Sequence, residues 1–194
     1  ETPTKEGTPP MAEPPWPIFA QDKIRFVGEI IAVVIAESVN QAKDACELIE
    51  FDYEELEAVV SPEKALNGDI ELIWENIPNN QCFDWELGDK NNTDDAFEKA
   101  QYTASIEILN NRLVPNAMEP RSYIGSYDKG KDEYILYTTT QLPHIIRMLV
   151  CGVLGLEEQK VRVISPDVGG GFGSKINVYN EDIVCSWAAK KINR

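Results

Sequence analysis

Ser165 to Lys175 reads SPDVGGGFGSK, with three glycines in a row, then Phe172, then Gly173. Each glycine loses more backbone entropy on folding than any other residue, so a run of them needs a tight turn or a close backbone approach. The run lies between a strand-like stretch, QKVRVISP, and a helix-like one, NEDIVCSWAAKKINR. In that position its backbone N–H groups can face a ligand. Two nucleotide fingerprints fail here. Walker A needs Gly-Lys followed by Ser or Thr, whereas Ser174 precedes Lys175 and Ile176 follows it. The dinucleotide pattern would start at Gly169 and Gly171 but meets Ser174 where its last glycine belongs. A tight strand-to-helix connection and a backbone seat for a cofactor remain open as readings.

Other chemistry-bearing residues are sparse. His144 is the single histidine, and Cys46, Cys82, Cys151 and Cys185 are far apart. No zinc or iron–sulfur site is expected from this chain alone, so no direct metal ligands are assigned. Cys82, Cys151 and Cys185 have apolar or aromatic neighbours and read as packed free thiols, which fits a cytoplasmic protein. Gln141, at the end of TTTQ and before Leu142-Pro143, reads by position as a cap for the helix that follows. Glu119 and Arg121 in NAMEPR read as a structural ion pair. Asn91-Asn92-Thr93 matches a glycosylation acceptor by chance.

The elements that must hold these residues read as follows. Residues 1–20 carry six of the twelve prolines and form a linker or arm, excluded from helix and inner strand. IRFVGEIIAVVIAES reads as two strands bent at Gly28. SVNQAKDACELIEF reads as a helix with a Ser38–Gln41 capping box and an apolar repeat of Ala42, Ala45, Cys46 and Ile49. EFDYEEL reads as a strand, and SPEKAL as a helix with Ser61 as cap and Pro62 at its first position. CFDWELGD is strand-like. TDDAFEKA is a helix capped by Thr93, YTASIEILNNRLV a strand, and SYIGSYDKGKDEYILYTTT a hairpin turning at DKGKD. A helix runs from Pro143 to about Gly155, and Asn180 caps the last helix. The fold class is α+β: a 1–20 arm, an α/β unit at 21–85, a linker at 86–95 and a second unit at 96–194.

The chain has 194 residues and a net charge of -15, from 33 acids against 18 bases. That balance argues against nucleic acid and anionic membrane, both of which need clustered Lys and Arg. No apolar run reaches the roughly 18–20 residues that span a bilayer. The opening has neither a basic start nor an apolar core of a signal peptide. It reads as a chain cut from something longer.

In one order, DKIRFVGEIIAVVIAES, IEFDYEELEAVVSPEKAL, QCFDWELGD, NNRLVPNAMEPR, YTTTQLPHIIR and PDVGGGFGSK resemble the large subunit of the molybdenum hydroxylases, the xanthine dehydrogenase/aldehyde oxidase family. Within it they stand nearest the carbon monoxide dehydrogenase large chains. The resemblance runs from about Asp22 to Arg194. It implies a hammerhead-type domain at 21–85 and the first part of a molybdopterin-binding domain at 96–194. It implies a molybdenum–pterin cofactor in the intact subunit, in the cytosine dinucleotide form, with Gln141 reaching an oxo ligand and Gly170, Gly171, Phe172 and Gly173 against the pterin. It further implies an iron–sulfur small subunit and an FAD medium subunit, arranged as a dimer of heterotrimers. The reaction implied is oxidation or hydroxylation of carbon monoxide, an aldehyde or a heterocycle with water-derived oxygen. Purine-oxidising members carry Glu where this chain has Ile176, which disfavours a purine. The family's general base and the copper-holding Cys loop lie downstream of these residues, so no catalytic residue is assigned here and the chain by itself is expected to be inactive. The competing expectation is a non-catalytic binding or assembly module, and a generic nucleotide-binding domain stands third.

Overall fold

The computed structural model describes residues 11–68 and 70–194, and the first half of the proline-rich arm lies outside them. The chain divides into two compact units, Glu1–Leu109 and Asn110–Arg194.

In the first unit the expected helices form. α1 (Val39–Glu47) is capped by Ser38, whose oxygen accepts from the Gln41 N–H at 3.3 Å. α2 (Pro62–Asn67) starts at Pro62 behind Ser61 and stops at Gly68, φ 79°. α3 (Lys90–Lys99) starts earlier than its sequence suggests and occupies much of the expected linker. Its cap is Asp89, not Thr93: Asp89 Oδ1 accepts from Asn92 N–H at 2.9 Å, and Thr93 sits inside the helix. An aspartate also suits the positive end of the helix dipole.

The strands expected in this unit do not form a ladder among the described residues. Gly28 does sit in a turn, at φ 97°, with Glu29 N–H bonded to Phe26 C=O at 3.2 Å. Yet Ile31, Val33, Ile35, Phe51, Tyr53, Ile106 and Ile108 are all exposed. Only Glu29 and Ile77 are buried among the described residues of the unit. Alternation signals a face meant to be covered; among the described residues of this unit nothing covers it, and a strand without a partner has no ladder to join.

The second unit holds the core. β1 (Tyr123–Asp128) and β2 (Glu133–Thr138) form the expected antiparallel hairpin, and β3 (Val161–Ile164) adds parallel to β2. α4 (Pro143–Leu154) links β2 to β3 and ends at Gly155, φ 65°. α5 (Asn180–Ile192) packs on β1 and β2. Leu136, Ile146, Val150, Cys151, Val161, Ile183 and Ala189 are buried between sheet and helices. At Gly125 a Cβ would overlap the Cys185 backbone, so α5 lies directly on bare strand. Cys151 is buried and Cys185 half-buried, and burial pushes both thiols up, away from reactivity.

α5 is not capped by Asn180, which is its first helical residue. Tyr179 takes the cap position, and Asp182 reaches back to accept its N–H at 3.0 Å. A residue three positions inside the helix thus satisfies the orphan donor, as in half of a capping box.

The hairpin turn carries one strong electrostatic knot. Asp132 accepts from Lys160 Nζ and from the Tyr127 hydroxyl, each at 2.6 Å. Lys160 first, then Tyr127, lowers its pKa from the ordinary 3.8 to about 2. A carboxyl depressed on folding stabilises the fold above its unfolded pKa and stops doing so as pH falls through the folded one. The urea midpoint should therefore fall between about pH 4 and pH 2, and Asp132→Asn should flatten that part of the profile.

Candidate functional site

The site grows from the end of β2. Thr138, Thr139 and Thr140 are buried; Thr138 hydrogen-bonds the Asp182 carboxyl, and the hydroxyls of Thr139 and Thr140 hold the surrounding backbone. Thr139 Oγ1 accepts from Ser122 N–H at 3.1 Å. Thr140 Oγ1 donates to Lys175 C=O and accepts from Leu142 N–H, both at 3.1 Å, and Ser165 Oγ donates to Thr140 C=O at 3.0 Å. Gln141 follows, its N–H donating to Lys175 C=O at 2.9 Å. The strand end and the end of the glycine run are thereby fixed to each other.

The Gln141 carboxamide turns to the glycine loop rather than to α4. Its Oε1 accepts from Gly173 N–H at 3.2 Å and from Lys175 N–H at 3.3 Å. Two donors on one side settle which end of the amide is oxygen. Nε2 therefore faces the other way, as a donor with no partner among the described residues.

The loop's glycines answer to different needs. At Gly171 a Cβ would overlap the Gln141 carboxamide, with Cδ at 2.8 Å, and at Gly169 it would sit 2.7 Å from Glu119 Cβ. These two are close approaches. Gly170 and Gly173 have φ of 94° and 90°, where a side chain is strained. Ser174 closes the turn, its N–H and Oγ both donating to Gly171 C=O at 2.9 and 2.8 Å. Tyr179 donates its hydroxyl to Ser174 C=O from below the loop.

Phe172 is not core. It is 77% exposed and has φ 51°, a left-handed backbone that a bulky residue adopts only under constraint. The Gly171 and Phe172 N–H groups make no hydrogen bond among the described residues, and Gly171 is itself buried. Buried backbone donors are almost always paired. The Gly171 and Phe172 N–H groups and the Gln141 amide N–H₂ thus belong to one loop and its clamp, without partners among the described residues.

Glu119 does not pair with Arg121. Glu119 Oε2 accepts from Lys175 Nζ at 2.7 Å and from Gly169 N–H at 2.8 Å, and the Lys175 contact, with the Gly169 bond behind it, lowers its pKa. Arg121 instead lies over the Tyr179 ring, 3.8 Å from its centre, and donates from Nε to the Tyr123 hydroxyl at 3.1 Å. Sequence reasoning missed Lys175, whose side chain is 1% exposed. The only signal was a lysine two positions after the last glycine of the run, where a solvated charge would have been equally natural.

Away from the loop, a cleft of about 570 Å³ lies between α4 and β3. His144, Arg147, Glu158 and Arg162 line it, and Arg147 is already paired with Glu158 at 2.9 Å. Its charges are mixed and Arg147 is neutralised by Glu158, so the loop, with its unspent donors, is the better candidate. No group of three or more His, Cys, Asp or Glu able to hold a metal exists among the described residues.

Residues 73–194 match the molybdopterin cofactor-binding domain, and residues 2–57 match the a/b hammerhead domain of aldehyde oxidase and xanthine dehydrogenase. The chain belongs to the molybdopterin cofactor-binding domain family. Its α+β class agrees with both domains. It is 38% identical over 184 residues to the carbon monoxide dehydrogenase large chain of Afipia carboxidovorans, covering 89% of this chain and 23% of that one. It is 35% identical over 191 residues to the nicotine 6-hydroxylase large subunit of Paenarthrobacter nicotinovorans, covering 97% and 22%. The crystal structure of the Cu,Mo-CO dehydrogenase in its carbon monoxide reduced state superposes with a TM-score of 0.84 at 36% identity, over 90% of this chain and 24% of that one. The chain thus spans less than a quarter of the length of these relatives.

Proposed function

We propose that this chain forms one wall of the molybdenum–pterin seat in the large subunit of a molybdenum hydroxylase. The intact enzyme would oxidise or hydroxylate carbon monoxide, an aldehyde or a heterocycle with water-derived oxygen. The observation that carries the reading is the clamp of Gln141 on the glycine loop, which leaves an amide donor and two backbone donors unspent at one spot.

The residues fit such a group. A pterin is rich in nitrogen and oxygen acceptors and suits the Gly171 and Phe172 N–H groups. A metal-oxygen acceptor suits Gln141 Nε2, which donates and cannot accept. The molybdenum, when bound, supplies the two-electron redox chemistry, which none of this chain's side chains can perform. We assign no general base among these residues. The relatives named for carbon monoxide and for nicotine favour a small or heteroaromatic substrate. Iron–sulfur and FAD subunits as electron carriers, a dimer of heterotrimers, the cytosine dinucleotide form of the cofactor and a cytoplasmic setting complete the proposal. So do the domain limits of 21–85 and 96–194.

Gln141→Glu tests it in the intact enzyme. The carboxylate keeps an oxygen for the Gly173 and Lys175 N–H groups and replaces the outward donor by an acceptor. Turnover per bound molybdenum should drop roughly 10²-fold, the usual effect of losing one aimed donor. Unchanged turnover would remove Gln141 from the site. An intact subunit that purifies without molybdenum or pterin would favour the assembly-module reading instead.

A further inference from the structure

We infer that Glu119 and Lys175 form a clasp that sets the glycine loop in its cofactor-receptive shape, acting as positioning residues through the loop and not by touching the cofactor. The inference rests on the reading of the loop as the cofactor seat.

One oxygen does the closing. Glu119 Oε2 holds Gly169 N–H at the head of the loop and Lys175 Nζ at its foot. Lys175 is also where the loop is tied to β2. Its N–H reaches Gln141 Oε1, and its C=O takes the Gln141 N–H and the Thr140 hydroxyl. A shift of the Lys175 side chain would therefore move the residue that anchors Gln141. Long lysine side chains normally extend their ammonium to water; this one is held inside, and Glu119 is the carboxylate that keeps it there.

The two partners are unequally buried, and that makes the inference sharp. The Lys175 side chain is 1% exposed and that of Glu119 34%. Water can solvate a carboxylate left alone at this position, but it cannot reach the ammonium. Removing one partner of a buried pair is damaging because the other charge is stranded. Loss of the acid should thus be severe and loss of the base mild.

The test uses the intact enzyme and reads molybdenum and pterin per large subunit. Glu119→Gln should lower both about tenfold or more, within the range seen when an outer partner of a metal site is lost. Lys175→Met removes the charge, keeps similar length and leaves Glu119 on Gly169; it should lower both by about threefold, less than Glu119→Gln, since the foot of the loop is released but no stranded charge remains. The double variant should return to the Lys175→Met level. Hydrogen–deuterium exchange over residues 165–176, measured after the cofactor is removed, should rise in Glu119→Gln and recover in the double variant. Wild-type cofactor content in Glu119→Gln, or a double variant no better than it, overturns the clasp. If Glu119→Gln does not accumulate, the double variant and Lys175→Met still decide: equal content supports the clasp, and a double variant far below Lys175→Met overturns it. Gly171→Val is the reference. If it loses cofactor and Glu119→Gln does not, the clasp fails and the seat stands; if neither loses cofactor, the seat itself fails.

Discussion

Valine at position 171 is expected to push the Gln141 carboxamide off the loop, lowering the cofactor content of the intact enzyme and its turnover roughly 10²-fold, as an ångström-scale misplacement does. Already the first added carbon would overlap the carboxamide, with Gln141 Cδ at 2.8 Å. The side chain can yield because it is the far end of a flexible residue, so the fold should survive while the clamp does not. Gln141 would then lose the Gly173 and Lys175 donors that orient it. Gly173→Ala is the contrasting case. Nothing lies within 4 Å of its added Cβ, so its effect comes only from φ 90°, about 1–3 kcal/mol of backbone strain. Cofactor analysis, turnover and a thermal melt on both variants separate a displaced amide from a strained loop. A Gly171→Val enzyme with normal cofactor and turnover would show that the Gln141 clamp is dispensable.

The second large effect is expected in the core. Leu136→Ala should cost about 3 kcal/mol, within the range for a fully buried leucine whose cavity cannot collapse. Leu136 is 0% exposed on the middle strand of the three-stranded sheet, between β1 and β3. The unit's buried apolar residues come from α4, α5 and β3 as well as β2, so several elements would have to shift together to fill the space. Urea unfolding of the chain should show the midpoint shift with little change in slope. A loss below about 1 kcal/mol would mean that the sheet repacks, which the close seat of α5 on Gly125 makes difficult. The strand ends at Thr138 and leads directly into Thr139, Thr140 and Gln141, so damage at Leu136 should reach the loop as raised hydrogen exchange.

What the sequence made legible follows the range of the interactions. Ser38, Ser61 and Gly155 act on residues within one helical turn, and their roles are plain from spacing. The hairpin between Tyr123 and Thr138 is equally local, with alternation on both sides of a polar turn. Caps were misread where a competing residue sat nearby: Asp89 wins over Thr93, and Asp182 reaching back to Tyr179 displaces Asn180. Glu119 was misassigned because its nearest cation in the sequence is Arg121, while its real partner lies 56 positions away. Nothing in local spacing encodes that distance. The strands expected before Leu109 were misread for another reason. Alternation reports that a face is to be covered and does not name the partner, and this chain leaves Ile31, Val33, Ile106 and Ile108 in solvent. At the loop, the residue types pointed to a backbone seat. Only coordinates separate Gly169 and Gly171, which accommodate this chain's own side chains, from Gly170 and Gly173, which accommodate its torsions.

The anchors of the glycine loop come from 32 to 56 positions upstream in the chain. Closing such separations costs chain entropy that only a formed sheet can repay, so contacts of this span are made late. The hairpin, α4 and β3, which are more local, are expected to assemble before Glu119 and Gln141 find their donors. If the loop is the cofactor seat proposed above, that seat takes shape only once this half of the chain has folded.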